Sequence, residues 1–119
     1  MNSTLKVTTL ALLIALFAGF NFPAIAGPFE DGLAAEGRGA YTTALKLFRE
    51  LADSGQKEAQ NSLGVMYAKG LGVAQDFAEA AKWYRLAANQ GNAVAQYNLG
   101  SVYLDGRGVA RDYAEAVKW

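Results

Sequence analysis

The chain repeats itself. The stretch Gly55 to Asp76 returns, 36 residues later, as Gly91 to Asp112, and about 16 of the 29 positions open to comparison are identical without a gap. A period of roughly 20–50 residues marks a repeat array. Each unit is one supersecondary element that cannot bury its apolar face alone, so it stacks on the next. Two copies can also be read against each other. What both keep is expected to be scaffold, and what they vary is where function is sought.

Within a copy the apolar positions follow a helical period. Ala59, Leu63 and Tyr67 share one face, as do Ala95, Leu99 and Tyr103. These define a first helix, A, over Lys57 to Lys69 and its counterpart. A second helix, B, opens at Asp76-Phe-Ala-Glu79 and again at Asp112-Tyr-Ala-Glu115. The Asp accepts a bond from the third helical N–H, and the Glu is expected to return one to the cap. Helix B runs on through Ala80, Ala81, Tyr84, Ala87 and Ala88 and is predicted to end at Gly91. The A–B turn, Gly70-Leu-Gly72-Val73 or Gly106-Arg-Gly108-Val109, has glycines for positive φ. Val73 and Val109 are expected to plug the gap between the paired helices.

A degenerate unit comes first. Phe29 to Glu36 reads as a short helix, and Tyr41, Ala44, Phe48 and Ala52 align with Phe77, Ala80, Tyr84 and Ala88. Ala40 and Thr43 replace the capping box. Terminal repeats are often atypical because only one side is covered.

The pattern Ala-Gln-x-x-Leu-Gly-x-x-Tyr-x-x-Gly-x-Gly-Val-x-x-Asp-x-x-x-Ala-x-x-Trp resembles the Sel-one-like repeat (SLR), a relative of the tetratricopeptide repeat with a longer turn. The likeness is strong over Gly55 to Trp119 and weak over Phe29 to Ser54. It implies an all-α fold, a right-handed α-solenoid of antiparallel helix pairs with the A helices on the concave side. The chain would hold about 2.5 repeats: a degenerate one at 27–54, a full one at 55–90, and a truncated one at 91–119. The resemblance also implies a protein-binding adaptor, with no particular partner.

On a wheel of helix A the identical positions Ala59, Gln60, Leu63, Gly64 and Tyr67 fit an arc of roughly 140°. This is read as the packing face. Gly64 and Gly100 sit mid-helix, where glycine costs up to about 1 kcal/mol relative to alanine, so a neighbouring helix is expected to come close there. The remaining arc changes between copies. It reads Glu58, Asn61, Ser62, Val65 and Lys69 in one, and Val94, Tyr97, Asn98, Ser101 and Asp105 in the other. These ten form the candidate partner-binding surface, with Tyr97 as its aromatic anchor.

Composition narrows the functions available. Residues 1–26 have the layout of a secretory signal: one charge at Lys6, an apolar run from Val7 to Phe20, and Ala24-Ile-Ala26 for cleavage. Export is therefore expected, to the periplasm first, with secretion or an uncleaved anchor as alternatives. Without Cys, no lipid is attached there and no disulfide forms. The remainder carries all eleven acids and ten of the eleven bases, with no basic cluster. This argues against nucleic acid as a partner, since its binding needs a basic face. The chain also lacks His, the commonest general base and metal ligand. No cofactor or metal is expected.

Catalytic look-alikes have structural uses. Ser3-x-x-Lys6 lies in the signal. Ser54-x-x-Lys57 places its serine at a helix end, without companion motifs. Gly70-x-Gly72 and Gly106-x-Gly108 precede helices, but no strand precedes them and an Asp follows, which would repel phosphate. Asp76/Glu79 and Asp112/Glu115 have the spacing of caps. Trp83 and Trp119 sit at core positions rather than as sugar-stacking platforms. The leading expectation is a non-catalytic interaction scaffold of the cell envelope, binding a partner segment on the A-helix face. The alternative is a periplasmic cell-wall enzyme or enzyme accessory. Trp119 aligns with Trp83, so the last B helix runs only about two turns in this sequence. An array that stopped there would be expected to be marginally stable or to dimerise through its open end. Intact mass of the exported protein is expected to begin at Gly27; a mass beginning at Met1 would mean a retained anchor.

Overall fold

The computed structural model describes residues 27–107 and 113–119. The expected signal at 1–26, and Gly108 to Asp112 with Val109 and the Asp112 cap, lie outside the described residues. The described residues form helices and turns, without a strand: α1 (Pro28–Gly37), α2 (Tyr41–Asp53), α3 (Lys57–Lys69), α4 (Phe77–Asn89), α5 (Ala93–Asp105) and α6 (Tyr113–Lys118). Helices α1, α3 and α5 are the A helices, and α2, α4 and α6 the B helices.

The helix ends follow local chemistry. Pro28 opens α1, where its missing N–H costs no helical bond. Ala40 gives α2 no side-chain cap, as its sequence implies. Helix α3 closes on Gly70 at φ 69°, whose N–H donates to the Met66 carbonyl. Asp76 caps α4, accepting from the Glu79 N–H at 3.0 Å. The expected return bond from Glu79 is replaced. The Asp76 N–H donates instead to the Tyr67 carbonyl at 2.8 Å, and the Glu79 carboxylate lies 3.6 Å from Lys82. Asn92 caps α5 by accepting from the Ala95 N–H at 2.8 Å. The first copy has Gln56 there, which makes no such bond.

Packing depends on close approach at the mid-helix glycines. A Cβ at Gly64 would lie 2.6 Å from the Tyr84 ring and 3.2 Å from the Ala80 carbonyl oxygen. The two helices therefore meet only because that atom is missing, as the recurrence of this costly residue implies. Gly32 does the same in the degenerate pair, where a Cβ would lie 2.5 Å from the Phe48 ring. Phe29 flanks that contact, its ring 5.6 Å from Phe48 and tilted by 49°.

Two apolar clusters result. The first gathers Ala35, Ala44, Phe48, Ala52, Ala59, Leu63 and Met66, with Trp83 packed against it. The second gathers Ala80, Ala81, Tyr84, Ala87, Ala88, Ala95, Leu99 and Val102, with Trp119 against it. Tyr67 touches both and joins them. The tryptophans thus take core-flanking positions, as expected. Two details differ from the sequence reading. Leu71, not Val73, is the turn residue packed on the first cluster, because Gly72 at φ 70° brings the turn onto the start of α2. A Cβ at Gly72 would lie 2.7 Å from the Tyr41 carbonyl oxygen. Met66 also varies, to Val102, yet both are buried. Variation therefore reaches the core where volume is roughly conserved.

The recurrent glutamine ties turns together. Gln60 is buried, and its amide N–H donates to the Ala52 carbonyl at 3.3 Å. Gln96 repeats this with Ala88 at 3.2 Å. Each adds a second bond to a carbonyl at a B-helix end that also accepts from a glycine N–H, Gly55 onto Ala52 and Gly91 onto Ala88, both at 3.0 Å. Gln90 adds a bond to the Gln60 side-chain oxygen at 2.8 Å and one to the Gly55 carbonyl at 3.0 Å.

Gly64 and Gly100 differ in what surrounds them. At Gly100 the nearest atom to a Cβ is the Ala116 carbonyl oxygen at 3.3 Å. Gly64→Ala is expected to destabilise by about 2 kcal/mol, overpacking outweighing the gain in helix propensity. Gly100→Ala should be close to neutral. Urea-denaturation midpoints of the two variants check the difference.

Candidate interaction surface

The ten varying residues lie on α3 and α5, which the fold sets side by side. Asn98 donates a side-chain bond to the Asn61 oxygen at 3.2 Å, so two of the candidates link the helices. The expectation of one uniformly exposed surface is only partly met. Glu58, Lys69, Val94, Tyr97 and Asp105 are exposed, whereas Asn61, Ser62, Val65, Asn98 and Ser101 are half-buried. Val65 packs against the second apolar cluster and serves the core on one side. The burial follows from stacking: the α3 residues that look toward α5 are partly covered by it.

A cleft of about 140 Å³ runs along α5, with Ala68 of α3 and Phe77 and Tyr84 of α4 among its other walls. Ala68, Tyr84 and Val102 are among its apolar lining, with Asn98, Ser101 and Asp105 on the α5 side. Phe77 and Arg107 close one end, the guanidinium 5.5 Å from the ring centre. Arg107 also sits 3.6 Å from the Asp105 carboxylate, an exposed pair worth little by itself. Glu58 and Lys69, at opposite ends of α3, have no ion pair among the described residues. The surface therefore offers amides, a small apolar recess and separated charges of both signs.

One member escaped the sequence comparison. Leu104 is 49% exposed and lies seven residues past Tyr97, on the same side of α5 as Val94. Its partner in the first copy is the smaller Ala68, which lines the cleft. That change in size was the available signal. A larger groove of about 430 Å³ lies elsewhere, along α4, lined by Ala78, Ala81, Lys82, Arg85, Leu86 and Tyr103.

Both interhelical arginines and Ser54 have structural partners. Arg49 donates to the Tyr67 hydroxyl and lies 5.7 Å from that ring's centre. Arg85 repeats the arrangement with Tyr103 at 5.4 Å and also lies 3.8 Å from Glu115. Each contact joins a B helix to the next A helix. Ser54 donates to the Leu51 carbonyl at 2.7 Å at the end of α2. The serine is thus engaged in a helix end, where the sequence placed it.

Solved structures with the same architecture exist. A family profile described as the Sel1 repeat matches residues 57–92 and 93–119. The chain belongs to the Sel1 repeat family. A Sel1 repeat protein from Oxalobacter formigenes superimposes with a TM-score of 0.71 at 37% identity, covering 77% of this chain and 37% of that one. A protective antigen present in uropathogenic Escherichia coli strains, displaying an SLR fold, gives 0.65 at 46% identity, covering 66% of this chain and 17% of that one. This Sel1 repeat chain thus spans well under half the length of either. No curated protein matches it. Sel1 repeat proteins are generally scaffolds that bind protein partners, and the family is typically non-catalytic.

The cleft floor carries a titration. Burial pushes the Tyr84 hydroxyl up to about 12. Below about pH 10 it is neutral in both folded and unfolded chains. Above that the unfolded chain ionises first, so this contribution to stability is lost as pH rises from about 10 through 12. Tyr84→Phe is expected to flatten the fall in stability over that window, measured by denaturant titration at successive pH values.

Proposed function

We propose that the chain is a non-catalytic interaction scaffold of the bacterial cell envelope. It binds a segment of a partner protein along the face shared by α3 and α5. The observation that carries this is the cleft that α3 and α5 share with α4, lined by Ala68, Asn98, Ser101 and Asp105 among others. The Asn61–Asn98 bond links the two A helices beside it, and Glu58 and Lys69 stand exposed at the two ends of α3. A polypeptide offers backbone groups to the amides and a side chain to the recess. The ten residues Glu58, Asn61, Ser62, Val65, Lys69, Val94, Tyr97, Asn98, Ser101 and Asp105 make up the surface, and the family's adaptor role supports the same reading. The signal-like segment at 1–26 supports export, with the periplasm as the site of action.

The test is photo-cross-linking in bacterial cells. A cross-linking residue placed at Glu58 or Lys69 is expected to give discrete adducts in the periplasmic fraction. The same residue at Ala78, exposed on α4, is expected to give none. Equal labelling from both faces, or recovery of the chain in the cytoplasm alone, would overturn the reading.

A further inference from the structure

The two copies differ in how the A–B turn meets the core. In both, the residue after the helix-ending glycine is fixed by the same backbone bond. The Leu71 N–H donates to the Met66 carbonyl at 2.9 Å, and the Arg107 N–H to the Val102 carbonyl at 3.2 Å. Gly70 and Gly106 turn with nearly the same φ, 69° and 67°. The two side chains therefore leave the backbone from equivalent places. Leu71 packs on the first apolar cluster, which includes Met66. Arg107 instead has its guanidinium 5.5 Å from the Phe77 ring centre and 3.6 Å from the Asp105 carboxylate. A guanidinium does not enter an apolar recess without an acceptor, because its desolvation is costly.

The cleft of about 140 Å³ lies where this exchange leaves space unfilled, with Ala68, Phe77, Tyr84 and Val102 among its walls. One repeat earlier these positions are Gly32, Tyr41, Phe48 and Met66, and Leu71 stands where Arg107 does. Val102 also has one side-chain heavy atom fewer than Met66. The recess is thus the counterpart of volume that Leu71 and the end of Met66 take up in the first copy. The exchange that opens it, Leu71 to Arg107, lies inside the array, and every wall belongs to α3, α4, α5 or the turn after α5. An apolar cavity of about 150 Å³ holds a guest of benzene size. The space therefore suits one side chain and is too small for a lipid tail.

We propose that this recess anchors the partner segment and takes one aliphatic side chain of leucine or methionine size. The inference rests on the α3–α5 face being the binding surface, and adds what is read there. The chain supplies the template, since Leu71 and Met66 fill the equivalent space in the first copy. Leu71 reaches its place between Gly70 and Gly72, so the partner residue is one with small neighbours that let its backbone come close. Asn98 and Ser101 at the cleft supply polar groups for that backbone. Asp105 and Arg107 offset each other at one end, so the anchor needs no charged neighbour of either sign. A lysine at the anchor position is rejected, because the recess offers its ammonium group no buried acceptor.

The probe is the capped pentapeptide acetyl-Ser-Gly-Leu-Gly-Ser-amide, with companions carrying Met, Ala or Lys at the centre. Each is titrated into the purified chain while the Ala68 methyl resonance is followed by NMR. The Leu and Met peptides are expected to shift it saturably. The Ala peptide is expected to bind at least about tenfold more weakly, and the Lys peptide not to bind. Arg107→Leu restores the residue of the first copy and is expected to fill the recess from within, abolishing the response and raising the urea midpoint. Val102→Met is expected to weaken binding by the same means. Arg107→Ala removes the charge but leaves the recess open, and is expected to keep binding. Equal affinity for the Leu and Ala peptides, saturable binding of the Lys peptide, or no saturable shift with the Leu peptide would each overturn the proposal. So would binding undiminished in Arg107→Leu, or lost equally in Arg107→Ala. Adducts from Glu58 and Lys69 are read separately: if they form while the Leu peptide fails, the anchor falls and the binding face stands.

Discussion

The structure depends on a missing atom. Without a Cβ at Gly64, the Tyr84 ring can lie against the backbone of α3 and α4 can sit close. That approach buries Tyr84 and sets the position of α4. Helix α4 then contributes to the second cluster, on which α5 packs. Gly32 and Phe48 set the first pair by the same means. A residue that weakens an isolated helix is retained because the contact it permits offsets the loss.

Much of this was legible in the sequence because two copies of the answer were present. Asp76 announced a helix start, Gly91 a helix end, and Gly64 a close contact, each by a local mechanism that needs no distant partner. Effects that run between repeats were harder to read. Gln60 recurs in both copies, but only the structure shows its amide bonded to the end of the preceding helix. Val73 recurs as well, yet Leu71 reaches the core, because the hand of the turn decides which side chain points inward. Glu79 had the right spacing for a full capping box, but a backbone carbonyl from α3 took the donor it was meant to satisfy.

The candidate surface was legible as a set and not as a geometry. Comparing copies separates changing from constant positions, but it treats all changing positions as alike. The stacking of α5 on α3 divides them. Asn61, Val65, Asn98 and Ser101 lie toward the junction of the two helices, while Tyr97 lies on the far edge of α5. Leu104 belongs with Tyr97, and its replacement of Ala68 marks it by size alone, with no change of charge or polarity. A wheel drawn for one helix cannot tell which part of its arc a neighbour will cover.

The Arg–Tyr contacts have a consequence for how such chains grow. Arg49 reaches Tyr67, and Arg85 reaches Tyr103, so each bond begins in one sequence repeat and ends in the next. The unit that is duplicated and the unit that is held together are therefore out of step by half a period. A gene duplication that copies one whole repeat, wherever it starts, leaves each arginine with a tyrosine downstream and each tyrosine with an arginine upstream. Insertion of a partial repeat leaves one of the two alone at the junction. Lengthening by whole periods is thus the change that preserves the coupling between neighbours, and the 36-residue spacing is kept by contacts that cross its boundaries.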